Sequence, residues 1–360
     1  MRIDYVITGL DIGGAEFQVV ALLERLVQRG HQVRLISMTP PRAFTERLES
    51  AGIPVHSLDM TSGLQLPQAL WRLKKMLRQS PPDILHGHMV HANIIARLAR
   101  LFIPGLHVIS TAHNTREGGK LRDWAYRLTN PLSKLNTTIS AAATRRFTEE
   151  KVFPRHNTQT IFNGIDTEKF HADDAPRTPA KPFRWLAVGR LMEQKDYPTM
   201  LTAFSLLPDS RLLIAGQGPL LPQLQEQVSQ LGLENRVEFL GVRHDIDELY
   251  RQVDGFVLSS EWEGYGLVVA EAMASQLPVV VTDSGGPGEI VGSDGSAGLL
   301  VPIKDPQALA NALAMIEAMP PASRYDMGCR ARKKIQENFS LNQIVTQWEN
   351  IYTELNKKNK

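Results

Sequence analysis

Residues 257–283 read VLSSEWEGYGLVVAEAMASQLPVVVTD. The runs at its two ends, VLSS and PVVVTD, have the continuous apolar character of strands buried on both faces. Between them lie a loop holding Glu263, Gly264, Tyr265 and Gly266 and then an apolar segment that predicts a helix from Leu267 to Ala274. Strand, loop, helix and buried strand in succession are the repeating unit of a parallel sheet. Two carboxylates interrupt this burial, Glu263 and Glu271, with seven residues between them. A helix as apolar as LVVAEAMA is expected to be buried, and an unpaired carboxylate on it is costly, so Glu271 needs a partner. The plainer alternative is that Glu263 complements the helix dipole while Glu271 is solvated.

The same rhythm extends outward in both directions. Upstream and downstream, RWLAVGR, RLLIAGQG, RVEFLGV, DGFVLSS, LPVVVTD and AGLLVP alternate with helical patterns. In the first half RIDYVIT, HQVRLISM, IPVHSLDM, DILHGHM, HVISTAHN and NTTISA do the same. A chain of 360 residues exceeds the ~250–300 at which one core stops growing, so two α/β domains are expected. The boundaries fall at 1–165 for the first Rossmann-like domain, 166–183 for a polar linker, 184–338 for the second Rossmann-like domain and 339–360 for a closing helix. The linker rests on NGIDTEKFHADDAPRTPAKPF, with its three prolines. Ligands of doubly wound sheets sit beyond the carboxyl ends of the strands, which predicts a site in the cleft between the two domains.

Composition excludes several classes. One cysteine, Cys329, permits no internal disulfide and suits a reducing compartment. MRIDYVIT enters a strand pattern without an apolar leader, so a cytoplasmic location is expected. The longest apolar candidate, IIARLARLFIPGLHVIS, is broken by Arg97, Arg100 and Pro104 and does not predict a membrane span. Residues 1–180 hold 23 Lys and Arg against 16 Asp and Glu, whereas residues 181–360 hold 17 against 22. A basic first half suits peripheral contact with an anionic inner membrane face. The segment TREGGKLRDWAYRLTNPLSKLN, with Arg116, Lys120, Arg122, Arg127 and Lys134 among Leu121, Trp124, Tyr126 and Leu128, fits that contact. The plainer reading, which helix patterning favours, is a solvated helix whose apolar stripe faces the core. No nucleic-acid partner is expected.

Candidate residues follow the strand ends. Gly13 and Gly14 open the first helix, where backbone N–H groups favour a phosphate, although a tight turn alone would also use glycine. The stretch is not G-x-G-x-x-G, and the second strand ends at Met38 and Thr39 instead of an acid, which disfavours a nicotinamide dehydrogenase. Arg190 and Lys195 in VGRLMEQK are two cations beyond one strand and suit a diphosphate. Glu271 can accept from the vicinal hydroxyls of a ribose. Asp245 and Asp247 in HDIDEL imitate a D-x-D metal site, but they stand where a helix begins and an acidic N-cap accounts for them. His86, His88 and His91 in HGHMVHAN could form a zinc cluster, yet no fourth ligand is apparent, and contact with an acceptor is the expectation for His86 and His88.

Taken together GGAE, NGID, VGRL with Lys195, IAGQGPL, and the run from Ser259 to Val291 resemble the retaining, GT-B-fold glycosyltransferases of family GT4 (glycosyl transferases group 1). The likeness covers nearly the whole chain and is densest from Arg184 to Pro302; its most specific element is the Glu-x7-Glu pair, Glu263 and Glu271. ENFSLNQIVTQWENIYTEL, with Phe339, Trp348 and Tyr352, resembles the family's last helix, which crosses back to the first domain. The resemblance implies a hexosyltransferase that moves a sugar from a UDP- or GDP-sugar to a glycan or lipid-linked acceptor, in bacterial surface polysaccharide or lipopolysaccharide assembly. It implies retention of anomeric configuration and no metal or other cofactor. Arg190 and Lys195 would hold the diphosphate and Glu271 the ribose. Glu263 with the Gly264, Tyr265, Gly266 and Leu267 backbone would orient the donor sugar, Gly14 would approach the phosphates, and Val242 and Arg243 would lie by the base. His113 in STAHN would stand between acceptor and donor sugar, with Asn114, His86 and His88 on the acceptor side. Two other functions stay open on the same fold: a sugar-nucleotide-binding module without transfer activity, and an epimerase or phosphorylase.

Overall fold

The computed structural model describes residues 1–115, 117–172 and 181–357. By compactness the chain divides into one unit of Met1–Gly164 with Leu341–Lys360 and another of Ile165–Ser340.

In the first unit β1 (Arg2–Ile7), α1 (Gly14–Gln28), β2 (Gln32–Ser37), α2 (Thr45–Ser50) and β3 (Val55–Ser57) run in succession. They are followed by α3 (Leu66–Gln79), β4 (Ile84–His88), α4 (Val90–Ala99), β5 (His107–Ala112), α5 (Lys120–Thr129), β6 (Leu135–Thr138), α6 (Ala141–Glu149) and β7 (Thr158–Thr160). The sheet has seven strands in the order β3-β2-β1-β4-β5-β6-β7, all parallel. β7 is an edge strand of three half-buried polar residues, TQT, too short to announce itself by apolar pattern. Because β-α-β crossovers are right-handed as a rule, reversal of direction at β1 puts α1 and α2 on one side of the sheet and α3, α4 and α5 on the other. Alternate strand residues follow suit. Tyr5, Leu35, Ile84 and Ile109 pack with α1, while Val6, Ile36, Leu85 and Val108 pack with α3 and α4.

The second unit contains β8 (Arg184–Val188), α7 (Tyr197–Ser205), β9 (Arg211–Ala215), α8 (Leu221–Gln230), β10 (Val237–Gly241), α9 (Ile246–Gln252) and β11 (Gly255–Leu258). Then come α10 (Leu267–Ala274), β12 (Val279–Thr282), α11 (Gly286–Val291), β13 (Leu299–Val301), α12 (Pro306–Ala318) and α13 (Pro321–Asn338). Its sheet runs β10-β9-β8-β11-β12-β13, again all parallel. Local signals start several helices: Asp305 accepts from Ala308 N at 2.9 Å ahead of α12, and Ser140 accepts from Ala143 N at 3.2 Å ahead of α6. Proline at the first turn of α7, α8, α12 and α13 adds a residue already shaped for a helix start.

The last described helix, α14 (Leu341–Lys357), belongs to the first unit. Its Ile344, Val345, Trp348 and Tyr352 complete the core that contains Tyr5 and α1. Phe339, grouped with this helix from the sequence, lies instead in the second unit, its ring 6.3 Å from that of Tyr265. Of the polar run expected as a linker, 173–180 lies outside the described residues. The preceding part is fastened to the second unit: Arg332 Nη1 donates to Phe170 O at 2.9 Å, and Lys169 Nζ stands 3.7 Å from Asp247 Oδ1.

Candidate active site

In each sheet the strand order reverses at one point, between β8 and β11 in the second unit and between β4 and β1 in the first. Crevices at such points, beyond the carboxyl ends of the strands, are where doubly wound folds take ligands.

Beyond β8 stands Arg190, exposed, its guanidinium without an ion pair or hydrogen bond among the described residues. The loop carrying it is fixed by backbone contact with the end of β9. Gly189 N donates to Ala215 O at 3.0 Å, and a Cβ on Gly216 would fall 1.9 Å from Gly189 O, so only glycine fits at 216. Lys195, expected beside Arg190 as a second diphosphate ligand, turns to the other strand of the reversal point. Its Nζ donates to Glu263 Oε1 at 2.5 Å. Glu263 is buried and also accepts from Ser260 Oγ at 2.9 Å, at the end of β11. Its backbone N donates to Ser284 O at 2.8 Å, which clamps the β11–α10 loop to the end of β12. Gly286 permits this: a Cβ there would lie 2.4 Å from Tyr265 Cα. The Tyr265 side chain is itself buried, so as a donor contact only its backbone qualifies.

Glu271 lies on α10, half-buried, with no ion pair among the described residues. Tyr250 OH, from α9, donates to its Oε2 at 3.2 Å. Burial pushes the Glu271 carboxyl up to about 7, opposed by the Tyr250 hydrogen bond and the Lys169 charge and reinforced by Asp247. Val242 and Arg243 follow β10; Val242 is exposed, and Arg243 Nε donates to Asp245 Oδ1 at 2.8 Å. Asp245 does occupy the position before α9, but it makes no side-chain cap and pairs with Arg243 instead. Asp247 sits between Lys169 and Arg251.

The first unit assembles differently. His88 at the end of β4 and His113 just past β5 meet with His88 Nδ1 2.8 Å from His113 Nε2. The Tyr5 ring stacks on His88 at 4.9 Å, and the His86 ring lies 4.1 Å from that of His88. His86, expected on the acceptor side, is fully buried. Its Nδ1 is 2.8 Å from Tyr352 OH and its Nε2 is 2.7 Å from Thr111 Oγ1, so both nitrogens are engaged inside the core. It is a packing residue that supports His88. Burial drives His86 and His88 well below the ordinary imidazole value and His113 down to about 4, so all three rings are neutral near pH 7. His113 Nδ1 and His88 Nε2 are buried and have no hydrogen-bond partner among the described residues. Gly14 is the first residue of α1, beyond β1, and Asn114 follows His113 half-buried.

One residue here escaped the sequence reading. Glu117 accepts the backbone N–H of His113 at 2.8 Å through Oε1 and the Tyr126 hydroxyl at 2.6 Å through Oε2. Burial raises it to about 7, against the pull of those hydrogen bonds and of Arg122 and Arg146. Within TREGG it reads as an ordinary loop charge, and no spacing betrays its link to α5.

Two doubly wound parallel units, each with its polar side chains gathered where the strand order reverses, give the chain the GT-B fold. Residues 12–169 match the family described as Glycosyltransferase Family 4, and residues 169–334 match Glycosyl transferases group 1. The chain belongs to this family and is a glycosyltransferase. It is 27% identical over 369 residues to N-acetyl-alpha-D-glucosaminyl L-malate synthase of Bacillus anthracis, across 97% of this chain and 96% of the relative. It is 29% identical to the lipopolysaccharide core biosynthesis glycosyltransferase LpsE of Rhizobium meliloti, across 88% and 89% of the two chains. Among solved structures, Anabaena Alr3699/HepE in complex with UDP and glucose superposes with a TM-score of 0.85 at 21% identity, covering 98% of this chain and all of the other.

Proposed function

We propose that this glycosyltransferase moves a sugar from a nucleotide diphosphate sugar, UDP- or GDP-linked, to a glycan or lipid-linked acceptor in surface polysaccharide or lipopolysaccharide assembly, with retention at the anomeric carbon. The observation that carries the donor reading is the pairing of roles in the second unit. Among the described residues, an exposed guanidinium without an ion pair or hydrogen bond, Arg190, stands at the reversal point, and a half-buried carboxyl without an ion pair, Glu271, lies on α10. An anionic diphosphate suits the first, and hydroxyl donors from a ribose suit the second. The likeness to LpsE, a lipopolysaccharide core biosynthesis glycosyltransferase, and to a structure in complex with UDP supports the acceptor class and the nucleotide.

In the transfer the bond between the anomeric carbon and the donor's terminal phosphate oxygen breaks. A bond from the acceptor oxygen forms on the same face, and the departing phosphate oxygen takes the acceptor's proton. Arg190 stabilises the negative charge that develops on the nucleoside diphosphate, a task it performs as a fixed cation without a metal ion. Lys195 adds to that field while it orients Glu263. His113 acts as a neutral imidazole, able to donate or accept through Nδ1 but not to supply a positive charge at neutral pH. Peripheral roles fall to Gly14 at the phosphates, to Val242 and Arg243 at the base, and to Asn114 and His88 on the acceptor side.

Isothermal calorimetry with UDP, GDP and ADP tests the donor reading. Arg190→Ala and Glu271→Ala should each weaken binding of the preferred nucleotide by about tenfold or more, with circular dichroism unchanged. Unaltered affinity in both variants would refute it, and activity abolished by chelator would refute the metal-free assignment.

A further inference from the structure

The first unit carries a surface that the transfer chemistry does not use. α4 packs against α3 on one flank and α5 on the other, so the outward sides of all three lie on one side of the sheet. Among the described residues, seven of the fourteen exposed large apolar side chains fall between 64 and 128. On α3, Trp71 is 60% exposed and borders an open groove with Lys74, Lys75, Arg78 and Gln79. In the segment leading into β5, Leu101 and Phe102 are exposed, with Lys74 Nζ 4.9 Å from the Phe102 ring and Arg78 Nη2 donating to Phe102 O at 3.4 Å. Arg100 Nη1 donates to Leu132 O at 3.2 Å and ties this segment to the chain beyond α5. On α5 the stripe Leu121, Trp124 and Leu128 points outward, reversing the core-facing alternative for this helix; only Tyr126 and Asp123 turn in. Arg127 lies 5.3 Å from the Trp124 ring.

Charge accompanies the apolar residues. Between 61 and 115 the chain has six Lys and Arg and one carboxylate, Asp83, which accepts from Arg2 N at 2.8 Å. The nearest flanking carboxylates are also engaged: Asp59 with Arg72, Asp123 with Arg146, and Glu117 with Tyr126. We infer that the face formed by α3, the segment entering β5 and α5 docks on a bilayer surface rich in anionic headgroups. Tryptophan and basic residues side by side are the pattern of the membrane interface, where the indole sits at headgroup depth and each Lys or Arg meets an attractive surface potential. The exposed leucines discriminate against nucleic acid, because aliphatic chains offer no stacking platform for bases. A transferase held this way would meet a lipid-linked acceptor at the plane in which it lies.

The surface is separate from the nucleotide-handling residues, so its test does not depend on them. The whole protein is mixed with vesicles of phosphatidylcholine alone or with about a third phosphatidylglycerol, and partitioning is read by flotation at low and at physiological salt. Binding to the anionic vesicles only is expected, weakened by salt. Lys74→Glu with Lys75→Glu should lower the partition coefficient by about tenfold or more. Trp71→Ser with Trp124→Ser should also lower it, and should abolish the blue shift of tryptophan emission on binding. Nucleotide affinity, measured by calorimetry, should be unchanged in both double variants, which also shows that they are folded. Failure of the wild-type protein to bind anionic vesicles would overturn the inference. So would equal binding by the variants, or capture of an oligonucleotide in preference to vesicles.

Discussion

At the reversal point of the second unit Lys195 and Glu263 meet as an ion pair, with a third ionisable group, Glu271, on the helix that follows. At that of the first unit His88 and His113 share a hydrogen bond over the buried His86 and Tyr5, and no imidazole there carries a positive charge at neutral pH. One unit presents formal charges on strand-end loops, and the other presents uncharged rings stacked into its core. The first arrangement suits a substrate that is itself charged and must be released as a better leaving group. The second suits a hydroxyl, which a neutral ring can orient without fixing a counter-charge beside the acceptor. The difference also separates the two sites in how they fail: charges fail by losing a partner, rings by losing their packing.

The sharpest way to break this contrast is to remove one member of the ion pair. Lys195→Ala leaves Glu263 buried beside Ser260 without a cation and should cost about 3–5 kcal/mol in urea unfolding, whereas Lys195→Met with Glu263→Leu should recover much of that loss. If the single and double variants unfold alike, the pair is not the structural element described. In the first unit His113→Ala should lower turnover on the order of 10²–10⁴-fold while donor affinity changes little, and steady-state kinetics would separate the two. Parallel losses in both would reduce His113 to a substrate-holding residue.

A smaller effect concerns Glu117, the carboxyl that accepts the His113 backbone N–H. Glu117 becomes a stronger acceptor for the His113 N–H and the Tyr126 hydroxyl when ionised, so kcat/KM should rise with pH through about 7. Glu117→Gln should flatten that limb and retain most activity below it; a limb that persists belongs to another group. The smallest signal is a proton. Donated ribose hydroxyls favour the ionised Glu271, so nucleotide binding at pH 7 should release about half a proton, seen as a dependence of the calorimetric enthalpy on buffer. Glu271→Gln should abolish the dependence. Both carboxyls bind protons more tightly folded than unfolded. Their share of stability is therefore fullest below the ordinary carboxyl range and declines as pH rises through about 7.

The contrast also governs what could be read from the sequence. Motifs in the second unit are local: VGRL, the Glu-x7-Glu pair and LVVAEAMA each lie within one loop or helix, and α10 spans the residues its apolar pattern predicts. Even there the partner of Lys195 was illegible, because 68 residues separate it from Glu263 and either carboxylate or phosphate satisfies an ammonium. The first unit depends on pairings that no spacing encodes. His86 looked available for an acceptor until Tyr352, 266 residues away, supplied its hydrogen bond. Glu117 was missed for the same reason, since its role is set by Tyr126 and by a backbone N–H. The outward stripe on α5 was ambiguous because an amphipathic pattern reports a seam without saying which side faces water.

α14 has a consequence for how the chain comes into being. Trp348 and Tyr352 emerge from the ribosome only after every residue of Ile165–Ser340, yet Tyr352 OH binds both Tyr5 and His86, which were made near the outset. Synthesis proceeds from the amino terminus and domains tend to fold as they appear, so the nascent first unit must wait with its histidine floor open while the second unit folds. A nonsense codon just before Leu341 would thus spare a complete second unit and leave the earlier-made one without its keystone.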